Sequence, residues 1–353
     1  MALKKPTVID MFSGCGGLSR GFMDAGYDIL MGIDHEKIAL ETFEYNHGKA
    51  IGFQGDLSKR ETLLDVARIL RTKKVDVIIG GPPCQGFSLS GTRQEDDSRN
   101  SLFQSMVEAV KLFQPKAVVI ENVPGLVTLY DGKAKKAILD QLGSLGYTIN
   151  FKTLYAPDYG IPQIRKRVFF VGLKNGKEFN FPEPILTQEN YITCEEAISD
   201  LPSLENDLGK DEVQYSVLPQ SPYQEHMRKN SMVLFNHVGT AHTEMVKEVI
   251  SLVPEGGNHK DLPEGIGTSR KFNVAWTRYH SQKPSNTIDT GHRNHFHYKW
   301  NRVPTVRENA RLQSFPDDFI FKGNKTQQYR QVGNAVPPLL GFHLAKALKK
   351  YLA

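Results

Sequence analysis

Thr7-Val-Ile-Asp-Met-Phe12 runs directly into Ser13-Gly-Cys-Gly-Gly-Leu18, and the reading of this stretch decides the fold. A short apolar run of strand length meets a glycine-rich turn, and helical spacing follows over 17–25. Glycines let the backbone turn sharply and approach a ligand. The exposed N–H groups of the following helix favour an anion, here a carboxylate or a phosphate. The spacing is G-x-G-G rather than the G-x-G-x-x-G of a dinucleotide site. By itself such a loop is also read as an ordinary tight turn.

The same alternation continues outward from the loop. Strand-like runs occupy 28–33, 50–53, 75–79, 116–120, 148–155 and 167–173, and helical patterns 36–46, 60–71, 100–113 and 133–145. Strands alternating with helices predict right-handed βαβ units, hence an α/β protein with a mostly parallel sheet and helices on both faces. Asp34 closes the second strand and Asp56 the third. An acid at the first position can hold ribose hydroxyls, and one at the second can accept from an adenine amino group. Each Asp alone also reads as a helix cap. Three successive strand ends facing one way suit an adenosine ligand at the carboxyl edge of the sheet.

The alternation stops after Gly172. Residues 174–264 hold seven Lys/Arg against sixteen Asp/Glu, whereas 265–307 hold eight Lys/Arg against the single acid Asp289. Trp276, Tyr279, Phe296, Tyr298 and Trp300 interleave with the second, basic stretch, as expected for a polyanion with stackable bases. A solvated basic face is the plainer reading. Three domains are expected: a catalytic and cofactor-binding domain over 1–173, a smaller irregular one over 174–300 whose end falls between 275 and 300, and a segment over 301–353 that packs back on the first.

Three cysteines, Cys15, Cys84 and Cys194, make neither a disulfide framework nor a metal-type spacing. No signal-peptide core and no membrane-length apolar run stand out, so a cytoplasmic protein with no metal is expected. Cys84 differs from the other two cysteines. It follows Gly80-Gly-Pro-Pro83, where two prolines end a central strand and place the thiol in a loop at the ligand edge. A buried, inert cysteine is the alternative there. Cys15 reads as loop packing and Cys194 as inert.

These residues together resemble the C5-cytosine DNA methyltransferase family of bacterial restriction–modification type. The blocks that carry the resemblance occur in the family's order: Asp10-Met-Phe-Ser-Gly-Cys-Gly-Gly17, Gly81-Pro-Pro-Cys-Gln-Gly-Phe-Ser88, Glu121-Asn-Val123, Gln163-Ile-Arg-Lys-Arg-Val-Phe169 and Gln331-Val-Gly-Asn-Ala-Val-Pro337. Arg302-Val-Pro-Thr-Val-Arg-Glu308 with Ala310-Arg-Leu-Gln-Ser-Phe-Pro316 resembles the block before the last. The resemblance implies a Rossmann-like, S-adenosylmethionine-dependent methyltransferase with a target-recognition domain, and S-adenosylhomocysteine as product. Double-stranded DNA is the implied substrate, a separately encoded endonuclease the implied partner, and the enzyme is expected to be monomeric.

In that family Cys84 corresponds to the nucleophile that adds to cytosine C6. Glu121 meets N3 and the 4-amino group, Arg167 with Arg165 beside it holds O2, and Asn122 fixes the loop. For the cofactor, the resemblance puts Phe12 on the adenine face and the backbone of Gly14, Cys15, Gly16, Gly17 and Leu18 at the methionine end. Asp34 takes the ribose, His35 lies over the adenine, and Asp56 and Leu57 take its edge. Pro83 lies near the sulfonium, and Asn334 and Ala335 complete the pocket. Ser88, Arg93 and Arg99 fall in a loop expected to close over an extruded base, and Arg270 and Arg293 in loop-like pieces suited to DNA. Two other readings remain open: a tRNA cytosine-5 methyltransferase of the related RNA-directed branch, and a DNA-binding protein without chemistry.

Overall fold

The computed structural model describes residues 5–83, 101–266, 275–291 and 294–352. Cys84, Ser88, Arg93, Arg99, Arg270 and Arg293 therefore lie outside the described residues. The chain divides into two compact units. The first comprises residues up to Tyr155, Lys166–Glu183 and the chain from Leu340 onward, and the second comprises Ala156–Arg165 and Pro184–Leu339.

The first unit is built on a seven-stranded sheet. Its elements in chain order are β1 (Thr7–Met11), α1 (Gly17–Asp24), β2 (Asp28–Asp34), α2 (Lys37–Asn46), β3 (Ile51–Gln54), α3 (Arg60–Leu70), β4 (Val77–Gly80), α4 (Ser101–Phe113), β5 (Ala117–Asn122), α5 (Lys133–Ser144), β6 (Thr148–Tyr155) and β7 (Lys166–Leu173). The strand order is β3-β2-β1-β4-β5-β7-β6, and the first five run parallel. β7 lies antiparallel to both neighbours. The order reverses between β1 and β4, which is where α/β sheets open a crevice at their carboxyl ends. Val8, Ile9, Val77, Ile78 and Ile79 are fully buried, as central parallel strands require. The alternation read from the sequence is thus present, with element ends shifted by a residue or two.

The second unit contains α6 (Cys194–Ile198), α7 (Pro222–Arg228), α8 (Glu244–Leu252), α9 (Val306–Leu312) and α10 (Lys325–Asn334), with two-stranded ladders β8 (Glu212–Val213) with β9 (Leu234–Phe235) and β10 (Thr277–Arg278) with β11 (His295–Phe296). α11 (Pro338–Lys349) follows α10, and its residues from Leu340 belong to the first unit. Polar α10 carries too few apolar residues for its period to stand out in the sequence.

Residues 301–339, expected with the C-terminal segment on the first domain, cluster in the second unit instead. Buried ion pairs explain why. Arg311 bridges Asp200 at 2.8 Å and Asp317 at 2.7 Å, and Arg302 meets Glu308 at 2.6 Å, all within the second unit. The charge reading is corrected with it. Arg278, Arg302 and Arg307 are buried and donate to internal carbonyls and carboxylates, so they do not belong to a free basic face. Tyr279, Phe296 and Tyr298 are buried too, and Phe296 joins Ile250, Val253 and Val303 in a core. Lys283 and Lys299 of the same stretch are exposed, and Arg270, Lys271 and Arg293 lie outside the described residues, so only three of its eight cations are shown to be internal. No helix among the described residues is long and apolar enough to cross a membrane.

Candidate active site

Strand register brings the first two catalytic candidates together. Glu121 on β5 stands opposite Phe169 on β7. Arg167 lies two residues from Phe169, so its side chain leaves the sheet on the same face, diagonally across from Glu121. Arg167 Nε meets Glu121 Oε1 at 2.8 Å, and both side chains are largely shielded from solvent. Asn122, next in β5, donates from Nδ2 to Pro82 O at 2.8 Å and accepts from the Val123 N–H at 2.9 Å. The end of β5 is thereby tied to the proline pair that precedes Cys84.

Two glycines leave room for this arrangement. A Cβ on Gly80 would lie 2.5 Å from Met11 O, so β1 and β4 approach closely only because Gly80 has none. A Cβ on Gly81 would lie 2.9 Å from Glu121 Oε2. The loop before Cys84 therefore passes directly beside the Glu121 carboxylate.

The cofactor loop is shaped by backbone conformations that the chain rarely adopts. Phe12 has φ 60 and Gly14 φ 52, while Gly16, at φ 90, caps α1. A positive φ at Phe12 stores strain of the kind concentrated at ligand sites. Asp34 Oδ2 accepts from the Gly14 N–H at 2.8 Å, and Asp34 Oδ1 accepts from the Glu36 N–H at 3.0 Å. A carboxylate has roughly four acceptor positions, so these two bonds leave capacity for ribose hydroxyls. Among the described residues, nothing lies within 4 Å of the position a Gly14 Cβ would take.

His35 is mostly exposed, with Nδ1 3.1 Å from Asp34 Oδ1. Asp56 Oδ1 accepts from the N–H and hydroxyl of Ser58 at 2.9 and 2.6 Å, and those bonds hold its carboxyl below the usual range. Leu57, Cys15 and Leu18 are buried. The Asp34 and Asp56 carboxylates are acceptors of the kind that fit the hydroxyl and amino donors of an adenosine group.

Two of the three cysteines are poor nucleophiles by environment. Burial pushes the Cys15 thiol up to about 12, and burial likewise raises Cys194. Asp10 was read from the sequence only as part of a motif. It is buried at the end of β1, accepts from the Ser19 hydroxyl at 2.6 Å, and burial lifts its carboxyl to about 7, with Asp34 and Glu121 adding to the rise.

Arg165 is placed differently from Arg167. It is buried, and its guanidinium donates to Gly333 O at 2.9 Å and Ala335 O at 3.1 Å within the second unit. Gln163 and Gln313 adjoin it, a role that their presence in the quoted blocks marked but did not specify. The remaining DNA-reading candidates, and Cys84 itself, lie outside the described residues.

A doubly wound sheet with a glycine turn after β1 and acids closing β2 and following β3 defines a Rossmann-like methyltransferase. The chain belongs to the C-5 cytosine-specific DNA methylase family, whose model matches residues 6–350. It is similar to the Type II methyltransferase M1.HphI of Haemophilus parahaemolyticus, at 42% identity over 98% of this chain and 87% of that one. It is also similar to the Type II methyltransferase M.DdeI of Desulfomicrobium norvegicum, at 38% identity over 98% of this chain and 88% of the other. Among solved structures, a DNA modification methyltransferase encoded within an E. coli prophage superposes with a TM-score of 0.81 at 28% identity, covering 99% of both chains. The S. pombe Dnmt2 methyltransferase shares the fold with a TM-score of 0.61 at 18% identity. The protein is a DNA (cytosine-5)-methyltransferase.

Proposed function

We propose that the methyl donor is S-adenosylmethionine and that Cys84 forms a transient bond to the target cytosine. The observation that carries the reading is the Glu121–Arg167 pair, 2.8 Å apart beside the Gly81–Pro83 loop. S-adenosylmethionine supplies an electrophilic methyl group. Cytosine C5 is too weak a nucleophile to take it unaided. Addition of the Cys84 thiolate to C6 breaks the ring C5–C6 π bond and makes C5 nucleophilic.

Negative charge then builds on N3 and O2 of the base. A protonated Glu121 donates at N3 and accepts from the 4-amino group, while the Arg167 guanidinium holds O2 and balances the carboxylate that proton transfer leaves on Glu121. Asn122 ties the proline loop that precedes Cys84 to the end of β5. C5 then bonds to the methyl carbon as the donor's C–S bond breaks; loss of the C5 proton to a base, β-elimination of the thiolate and return of the N3 proton to Glu121 restore the aromatic ring. A cytosine inside a duplex is out of reach of these groups, so the base is extruded at a cost of a few kcal/mol. Ser88, Arg93 and Arg99, which lie outside the described residues, are the candidates for a loop that closes over it.

On the cofactor side, the strained loop over 12–18 takes the methionine end. Asp34 takes the ribose, and Phe12, His35, Asp56 and Leu57 take the adenine. Pro83, Asn334 and Ala335 complete the set on the strength of the family resemblance. The Type II relatives support a site-specific enzyme of a restriction–modification pair, with an endonuclease encoded separately.

Methylation mapping of plasmid DNA from cells expressing the protein tests the reading. C5-methylcytosine at one short recurring sequence is expected. Unmodified plasmid together with methylated tRNA would transfer the activity to the RNA-directed branch.

A further inference from the structure

α10 ends at Asn334, and the last carbonyls of any helix have no partner within it. Here they are met by side chains from distant parts of the chain. Gln313 Nε2 donates to Val332 O and, at 2.7 Å, to Ala335 O. Arg165 Nη2 donates to Gly333 O at 2.9 Å and Ala335 O at 3.1 Å. Gln163 joins the two: its Nε2 donates to Gln313 Oε1 at 3.0 Å, and its Oε1 accepts from Arg165 Nη1 at 3.4 Å. Gln163 and Gln313 are 0% exposed and Arg165 2%.

Charge and shape both suit a clamp. The Arg165 cation lies at the negative end of the α10 dipole. Gln313 faces two carbonyls with its NH2 group, which turns its oxygen towards the Gln163 amide, so each amide has one satisfied orientation. Gly333 has no side chain to interfere, since a Cβ there would lie 2.2 Å from Asp289 O.

We propose that Gln163, Arg165 and Gln313 are positioning residues that fix the 332–335 turn, which carries Asn334 and Ala335. The inference rests on the reading above that these two residues contact S-adenosylmethionine. It takes Arg165 away from the target base and leaves Arg167 there alone.

Calorimetric titration of S-adenosylhomocysteine into the full-length protein, its R165K variant and its Q313L variant tests this, with circular dichroism to establish folding. Each variant is expected to bind S-adenosylhomocysteine about tenfold more weakly, because buried carbonyls lose their donors and the turn relaxes. The KM for S-adenosylmethionine should rise similarly, with kcat at saturation falling less than about threefold. Cofactor-free binding to duplex DNA should stay unchanged. A base contact for Arg165 predicts the opposite, a loss of kcat with product affinity intact. That outcome, or folded variants whose affinity stays within about twofold of the parent, would overturn the proposal. If the parent protein itself binds no S-adenosylhomocysteine, the cofactor reading fails first and the inference falls with it.

Discussion

Glu121 Oε1 and Arg167 Nε lie 2.8 Å apart on adjacent antiparallel strands, and the register of β5 against β7 alone puts both side chains on one face. Each compensates the other's charge in a shielded position, so neither is replaceable without exposing its partner. Arg167→Ala should lower kcat by about 100-fold to 1,000-fold, comparable to removing one preorganised donor from a site of developing negative charge. Glu121→Gln keeps the size and removes the proton donor, and should lower kcat by at least about 100-fold. Both variants should bind S-adenosylhomocysteine like the parent. Steady-state methylation assays and calorimetry separate the two effects.

Gly81→Ala should separate activity from stability. The added methyl would lie 2.9 Å from Glu121 Oε2, the movable end of a side chain. The clash is relieved cheaply by shifting that carboxylate, so the melting temperature should change by only a degree or two, equivalent to about 0.5 kcal/mol. The shifted carboxylate no longer meets N3, and kcat should drop by about tenfold or more. Asn122→Ala should act in the same direction through the lost bond to Pro82 O.

Asp10 predicts a pH dependence of stability. Burial raises its carboxyl from 3.8 to about 7, so the folded protein holds a proton that the unfolded chain releases. Stability from this group is full below pH 3.8 and is lost as pH rises through about 7. Asp10→Asn can still accept from Ser19 but does not ionise. Thermal melts from pH 4 to pH 8 should show the parent losing stability relative to Asp10→Asn across that window. A constant difference would show that Asp10 does not titrate there.

Arg311→Met tests the buried arginines of the second unit. Asp200 and Asp317, both fully buried, would lose their common cation. Breaking a buried pair on one side costs about 3–5 kcal/mol, so this variant should unfold at markedly lower denaturant concentration. A fall of less than about 1 kcal/mol in chemical denaturation would contradict the network's role.

What the sequence made legible follows period and spacing. β1, β4 and the loop after β1 are short apolar runs stopped by glycine or proline, and such punctuation survives folding almost unchanged. Glu121 and Arg167 were legible as motif residues, but the sequence did not pair them. That pairing comes from the antiparallel β5–β7 register, a contact 46 residues apart in the chain.

The basic, aromatic stretch was only partly legible, for a physical reason. Composition counts charges without knowing which are internal, and Arg278, Arg302 and Arg307 are consumed inside the fold. Polar α10 and the Gln163–Gln313 contact were illegible because helix capping by distant side chains leaves no periodic trace.

The central claim is covalent attack by Cys84, and trapping on a duplex containing 5-fluorocytosine tests it most directly. Fluorine at C5 blocks the proton loss that frees the enzyme. With S-adenosylmethionine present, a protein–DNA adduct that survives denaturing electrophoresis is predicted, and the Cys84→Ser variant should form none. An adduct or full methyl transfer by Cys84→Ser would contradict the account, as would a product methylated on the exocyclic nitrogen.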